Sequence, residues 1–170
     1  MFFALASSTD NITFTFATTT IPSTTLSYTF TGLATNTRYY FLVAAVSSTN
    51  QATSTAATST ETYTLADIPG IATIATTTIT SLSITINSIG NPVVSTTYAI
   101  YNTTSLNYLA ADGSATASPV WQNTSTWGSS FAAIGLATNT LYQFVVIARN
   151  GANTTTATST ASVYKYTLAA

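Results

Sequence analysis

The chain has 170 residues, of which 4% are charged, with a formal net charge of −1, no histidine and no cysteine. Ordinary soluble domains are about a quarter charged, and disordered chains combine high charge with low hydrophobicity. With 46% apolar residues this chain is neither, and three basic residues give no electrostatic footprint for nucleic acid. Absent cysteine excludes disulfides and thiolate metal sites. No apolar run reaches the roughly 20 residues of a membrane-spanning helix.

The opening "MFFALASS" (Met1–Ser8) has no basic residue and is shorter than a secretory signal, so it reads as a strand, with a remnant of a targeting leader as the alternative. "NITFTF" (Asn11–Phe16) alternates and reads as a second strand. "GLATNT" follows at Gly32–Thr37, then an alternating run with Tyr39, Phe41, Val43 and Ala45, and then "YTLA" at Tyr63–Ala66.

All of these motifs recur. "GLATNT" returns at Gly135–Thr140, an offset of 103 residues, and at the same offset Tyr39 meets Tyr142, Phe41 meets Phe144, and "YTLA" meets Tyr166–Ala169. A fixed internal period marks a repeat architecture. Asp67–Ala169 is one whole repeat.

Within it the elements follow in order. "ITSLSITIN" (Ile79–Asn87) sets Leu82, Ile84 and Ile86 on one face. "TTYAIYNT" (Thr96–Thr103) sets Tyr98, Ile100 and Asn102 against Ala99 and Tyr101. "WGSSFAAIGL" (Trp127–Leu136) leads into a turn. "LYQFVVIARN" (Leu141–Asn150) alternates through Tyr142, Phe144, Val146 and Ala148, and "TTTATSTASVYKYTLA" (Thr154–Ala169) closes the repeat. Breakers stand between them at "IPG" (Ile68–Gly70), "GNP" (Gly90–Pro92), "ADG" (Ala111–Gly113) and "NGAN" (Asn150–Asn153). Threonine is β-branched and suits strands. About seven short strands in about 100 residues predict an all-β antiparallel sandwich.

"GLATNTLYQFVVIARNGAN" resembles the E–F corner and F strand of a fibronectin type III domain, and "GNP…TTYAIYN", "ADG" and "PVWQ…TWG" are similar to bacterial tandem members of that family. The resemblance implies tandem immunoglobulin-like sandwiches. It makes Tyr39 and Tyr142 corner tyrosines over Leu33 and Leu136, each hydroxyl reaching a backbone group. One departure is Ile86, where a strand-B tryptophan is common; Trp121 or Trp127 is then the candidate to fill that space. The resemblance also implies an extracellular or cell-surface setting.

By the period, residues 1–66 are the back part of a repeat, roughly strands C′, E, F and G, and residues 67–170 are a complete one. The stretch corresponding to Asp67–Thr103 is lacking in the first repeat. Half a sandwich leaves backbone groups unpaired and an apolar face wet. Three sources for the lacking strands remain open: adjacent repeats of a longer polypeptide, another copy of the chain by strand donation, or a rearrangement in which "NITFTF" replaces strand B.

Ionisable chemistry is sparse: Asp10, Glu61, Asp67, Asp112, Arg38, Arg149 and Lys165. Without histidine, nucleophilic catalysis has no base except Lys165 or a carboxylate. Asp67 and Asp112 fall at a strand start and in a turn, which argues against a glycosidase pair. No carboxylate cluster suggests calcium, so the reading is a non-enzyme with no cofactor and no metal. There is no RGD triplet, and "RNGAN" reads as an F–G turn.

Four sequons make Asn11, Asn102, Asn123 and Asn153 candidate glycosylation sites, although a threonine-rich chain generates such triplets by chance. O-glycosylation of Thr53–Thr60 or Thr154–Thr160 is equally open. Tyr101, Tyr108, Trp121 and Trp127 are the rings a sugar platform would need, but read better as packing residues. With one lysine, the strands lack the charge that keeps sheet edges apart. The expectation is a structural module of a secreted or surface-anchored microbial protein, packing against copies of itself or adjacent repeats in a fibre, filament or array. An adhesin or carbohydrate-binding accessory module is the alternative.

Overall fold

The computed structural model describes residues 1–50, 53–76 and 78–170. The chain divides into two compact units, Met1–Thr64 and Leu65–Ala170.

The first unit is one antiparallel sheet. Strand β1 (Phe2–Ser8) lies between β2 (Thr15–Pro22) and β3 (Arg38–Val46), and β3 also pairs with β4 (Ala57–Thr58) and β5 (Thr62–Tyr63). β1 and β3 run in unbroken register from Phe2↔Val46 to Ser8↔Tyr40. "MFFALASS" is thus a strand in the middle of the sheet. Asp10 turns the chain into β2: its Oδ1 accepts the Ile12 and Thr13 N–H groups at 2.8 Å, and Ser8 Oγ donates to it at 2.6 Å.

Among the described residues the second unit has two larger sheets and a two-stranded pair. β6 (Gly70–Thr76), β7 (Leu82–Asn87) and β11 (Phe131–Ala133) form one, in the order β11-β7-β6. The other runs β10-β9-β8-β13-β14, built from β8 (Thr97–Asn102), β9 (Asn107–Leu109), β10 (Ala115–Thr116), β13 (Phe144–Arg149) and β14 (Thr155–Thr158). A short pair joins β12 (Leu141–Tyr142) to β15 (Lys165–Tyr166). Ala72 and Ile74 of β6 and Leu82 and Ile84 of β7 pack with Tyr98, Ile100, Phe144, Val146 and Ala148 in one buried core. The period-two faces read from the sequence are these inward faces, because neighbouring strand side chains point to opposite sides.

Two residues close that core. Trp127 ends a single helical turn, α1 (Thr124–Trp127), capped by Asn123, whose Oδ1 accepts the Thr126 N–H at 2.9 Å. The Trp127 ring is buried edge-on to Phe131, and its Nε1 donates to the Tyr98 carbonyl at 2.9 Å. It, and not Trp121, sits in the core whose β7 contributes Ile86 at the margin. Buried Asn91, from the "GNP" turn, accepts the Asp67 N–H and donates to the Asp67 and Ser88 carbonyls, fixing the entry to β6.

The strand content of the first unit differs from the expected C′, E, F and G. β1 occupies the place beside β3 that β8 occupies beside β13, so the F-like strand does have a C-like neighbour. Phe41 faces Ser7 across that ladder, whereas Phe144 faces Asn102, so the first repeat reaches the same pairing through a shorter connection than the 103-residue offset assumes. "NITFTF" leads into β2 on the far side of β1 and does not replace strand B. Residues 25–30, which align with β11 and its approach, form no strand. β11 exists because β7 pairs with it, and among the described residues the first unit offers no such partner.

Candidate functional site

The repeated corner is the same hydrogen-bonded unit twice. In the second unit the Tyr142 hydroxyl accepts the Ala137 N–H at 2.9 Å; in the first, Tyr39 accepts the Ala34 N–H at 3.0 Å. The turn bends through Gly135 (φ 70°) and Asn139 (φ 46°), matched by Gly32 (φ 71°) and Asn36 (φ 41°). These are left-handed positions that glycine and asparagine tolerate best. Leu136 packs at the rim of the core beneath its corner, and Leu33 borders the groove described below.

A further residue completes each corner and was not singled out in the sequence. Thr167 Oγ1 accepts the Thr140 N–H at 3.0 Å and donates to the Ala137 carbonyl at 2.7 Å. Thr64 does the same, to Thr37 at 3.0 Å and Ala34 at 2.6 Å. These are the threonines of the two "YTLA" copies. Their co-recurrence with "GLATNT" was the available signal. Two serines repeat likewise: Ser162 Oγ accepts the Phe144 N–H at 3.0 Å and Ser59 Oγ accepts that of Phe41 at 2.8 Å.

The sequons separate by position. Asn11 and Asn153 are exposed at turn tips, both at positive φ. Asn123 spends its Oδ1 on the α1 cap. Asn102 requires correction as a glycan site: it is 1% exposed, and its Oδ1 accepts the Thr104 and Ser105 N–H groups at 3.0 and 3.2 Å. A sugar on a side chain buried in that turn would have to open the end of β8.

The ionisable groups are engaged in local structure. Asp112 holds the "ADG" turn through Ser114, N–H at 3.0 Å and Oγ at 2.7 Å, and those bonds hold its carboxyl below the ordinary range. Asp10 is lowered to about 2, chiefly by the Ser8 hydroxyl and then by the backbone donors of its turn. Glu61 meets Arg38 at 3.4 Å and accepts the Tyr40 hydroxyl at 3.1 Å, on the surface. Arg149 donates to Thr97 and lies 4.6 Å over the Trp121 ring. No group of three metal-ligating side chains occurs among the described residues. Tyr101 and Tyr108 pack edge to face at 4.9 Å, Trp127 is buried, and Trp121 lies under Arg149.

A concave apolar feature lies on the first unit. A groove of about 700 Å³ opens on the face of the first unit's sheet, floored by Leu5, Ile21, Phe41 and Val43 and walled by Tyr28 and Phe30. No charged residue lines it. Phe30 packs tilted against Phe41 at 4.6 Å and edge-on to Tyr28 at 5.0 Å. By the repeat offset Phe41 and Val43 of its floor correspond to Phe144 and Val146, at the centre of the other unit's core.

No protein-family model matches the chain, and no curated protein matches it in sequence. Among solved structures it is similar to a two-domain fibronectin type III segment of chicken tenascin, with 16% identity and a TM-score of 0.56, covering 97% of this chain and 83% of that one. It is also similar to the FN1–FN3 domains of chicken CNTN1, with 17% identity and a TM-score of 0.46, covering 98% of this chain and 55% of that one. The fold is fibronectin type III-like.

Proposed function

We propose that this chain is a non-enzymatic structural module of a secreted or surface-anchored protein, whose repeats pack into a fibre, filament or array. The observation that carries the reading is the character of the sheet edges. Natural edge strands are usually blunted by lysine, proline or inward charge. Here β6 and β14 contain neither charge nor proline, β2 carries no charge and only its terminal Pro22, and Ile71 on β6 is 51% exposed. Such edges associate at little electrostatic cost, which suits permanent assembly better than a dilute monomer.

The fold supports this, since fibronectin type III-like domains commonly serve as structural or binding modules in extracellular proteins. The paired corners add rigidity: each ties a turn and its tyrosine to a threonine about 30 residues further along the chain. Exposed Asn11 and Asn153 are the sequons fit to carry glycan in that setting.

Sedimentation over a hundredfold concentration range, with negative-stain images of the native particle, tests the proposal. Elongated or sheet-like assemblies are expected. Well-separated monomers throughout, in the natural glycosylation state, would overturn it.

A further inference from the structure

The groove in the first unit is bounded by a repeat whose twin shows what covers the same surface. In the second unit Phe144, Val146 and Ala148 of β13 are sealed by Ala72 and Ile74 of β6 and by Leu82 and Ile84 of β7. The corresponding Phe41 and Val43 of β3 line an open groove instead. Val43 is 43% exposed and Val146 0%.

The wall of the groove is half prepared for a visitor. Tyr28 and Phe30 align with Phe131 and Ala133 of β11, which pair with Ile84 and Leu82 of β7. Their rings already point to the sheet, Phe30 resting on Phe41. Their stretch nevertheless pairs with no strand. A strand arriving there would gain backbone hydrogen bonds from this stretch while burying the apolar floor, the two contributions that drive strand addition.

We infer that the groove binds an apolar β-hairpin of the β6–β7 type, one of whose strands pairs with residues 28–30 and both of whose strands cover Leu5, Phe41 and Val43. The absence of charge around the groove fits an uncharged hairpin like Gly70–Asn87, which itself carries none. Phe30 stands where the other unit has Ala133, so the strand position opposite it takes a small apolar residue in place of Leu82. A second copy of residues 1–170 is a poor donor. Its own β6 and β7 seal its own core, and lending them would open an equal face there. The inference rests on the sheet geometry of the first unit and not on the array reading.

The test uses the whole 170-residue chain with a synthetic peptide of Gly70–Asn87 and its Leu82→Ala variant, read by amide hydrogen exchange. Saturable slowing of the amides of residues 28–30 by about tenfold or more is expected, with the Leu82→Ala peptide binding more tightly and an Ile84→Asp peptide having no effect. The same hairpin fused ahead of Met1 serves as a tethered version that does not depend on peptide solubility, and the same amides should slow in it. Unchanged exchange in the tethered version overturns the inference. So does equal slowing from raised chain concentration alone, which would make a second copy the occupant. Loss of self-assembly without loss of hairpin binding would count against the array reading only.

Discussion

Phe144 and Phe41 are the same residue of the same motif, 103 positions apart, in different surroundings. Phe144 is fully buried between two sheets, and its N–H is held by Ser162. Phe41 keeps the equivalent serine bond, to Ser59, but its ring lines an open groove. The corners are equally alike, bond for bond. Local hydrogen-bonded structure thus follows the local sequence in both units, while burial follows what lies across the sheet. The two are separable, because a turn satisfies its own backbone but a sheet face needs a second layer.

The largest expected effect tests that separation. Phe144→Ala should destabilise the second unit by about 3–5 kcal/mol, the range for a core phenylalanine, measured by urea unfolding. Phe41→Ala should cost well under half as much, because its ring has less packing to lose. Equal costs would mean that the groove is closed in solution. Next comes Trp127→Phe, which removes the Nε1 donor and leaves space beside the smaller ring, while the Tyr98 carbonyl keeps the Gln122 N–H at 3.1 Å; about 1–3 kcal/mol is expected, mostly from the lost packing.

At the corner, Thr167→Val should cost about 1–3 kcal/mol, because it leaves the Thr140 N–H and the Ala137 carbonyl unpaired where the side chain is buried. Thr64→Val breaks the matching bonds in a half-buried corner, where water can replace them, so its cost should be smaller. The smallest effect is at Asp10. Its carboxyl is held to about 2, below the ordinary 3.8, so the ionised form that caps the turn persists as pH falls. Its contribution is present above pH 3.8 and is lost as pH drops through about 2. Chemical shifts of the Ile12 and Thr13 amides should titrate there, and should not in Asp10→Asn.

Much of this was legible in the sequence because a strand writes its faces with period two. Tyr142, Phe144, Val146 and Ala148 alternate, and they line the core. The repeat located both corners, because a turn with left-handed residues admits few sequences. Three things were not legible. The pairing of β1 with β3 depends on strand geometry across a connection of different length, which a fixed offset misplaces. Thr64 and Thr167 lie 30 residues from the carbonyls they bond, so only the fold brings them together. Asn102 carries a sequon on an inward-facing position of β8, and a triplet does not reveal which face it occupies.

The most direct measurement of the central contrast is native-state amide exchange on equivalent positions of β13 and β3. In the second unit the Phe144 and Val146 amides should exchange only through global unfolding, tracking the denaturant-measured stability. The Phe41 and Val43 amides, at the equivalent positions and with Phe41 keeping its matching serine bond, lie under an open face and should exchange through local opening at a much lower free energy. Equal, global-limit protection at both sets of amides in the isolated chain would contradict the account.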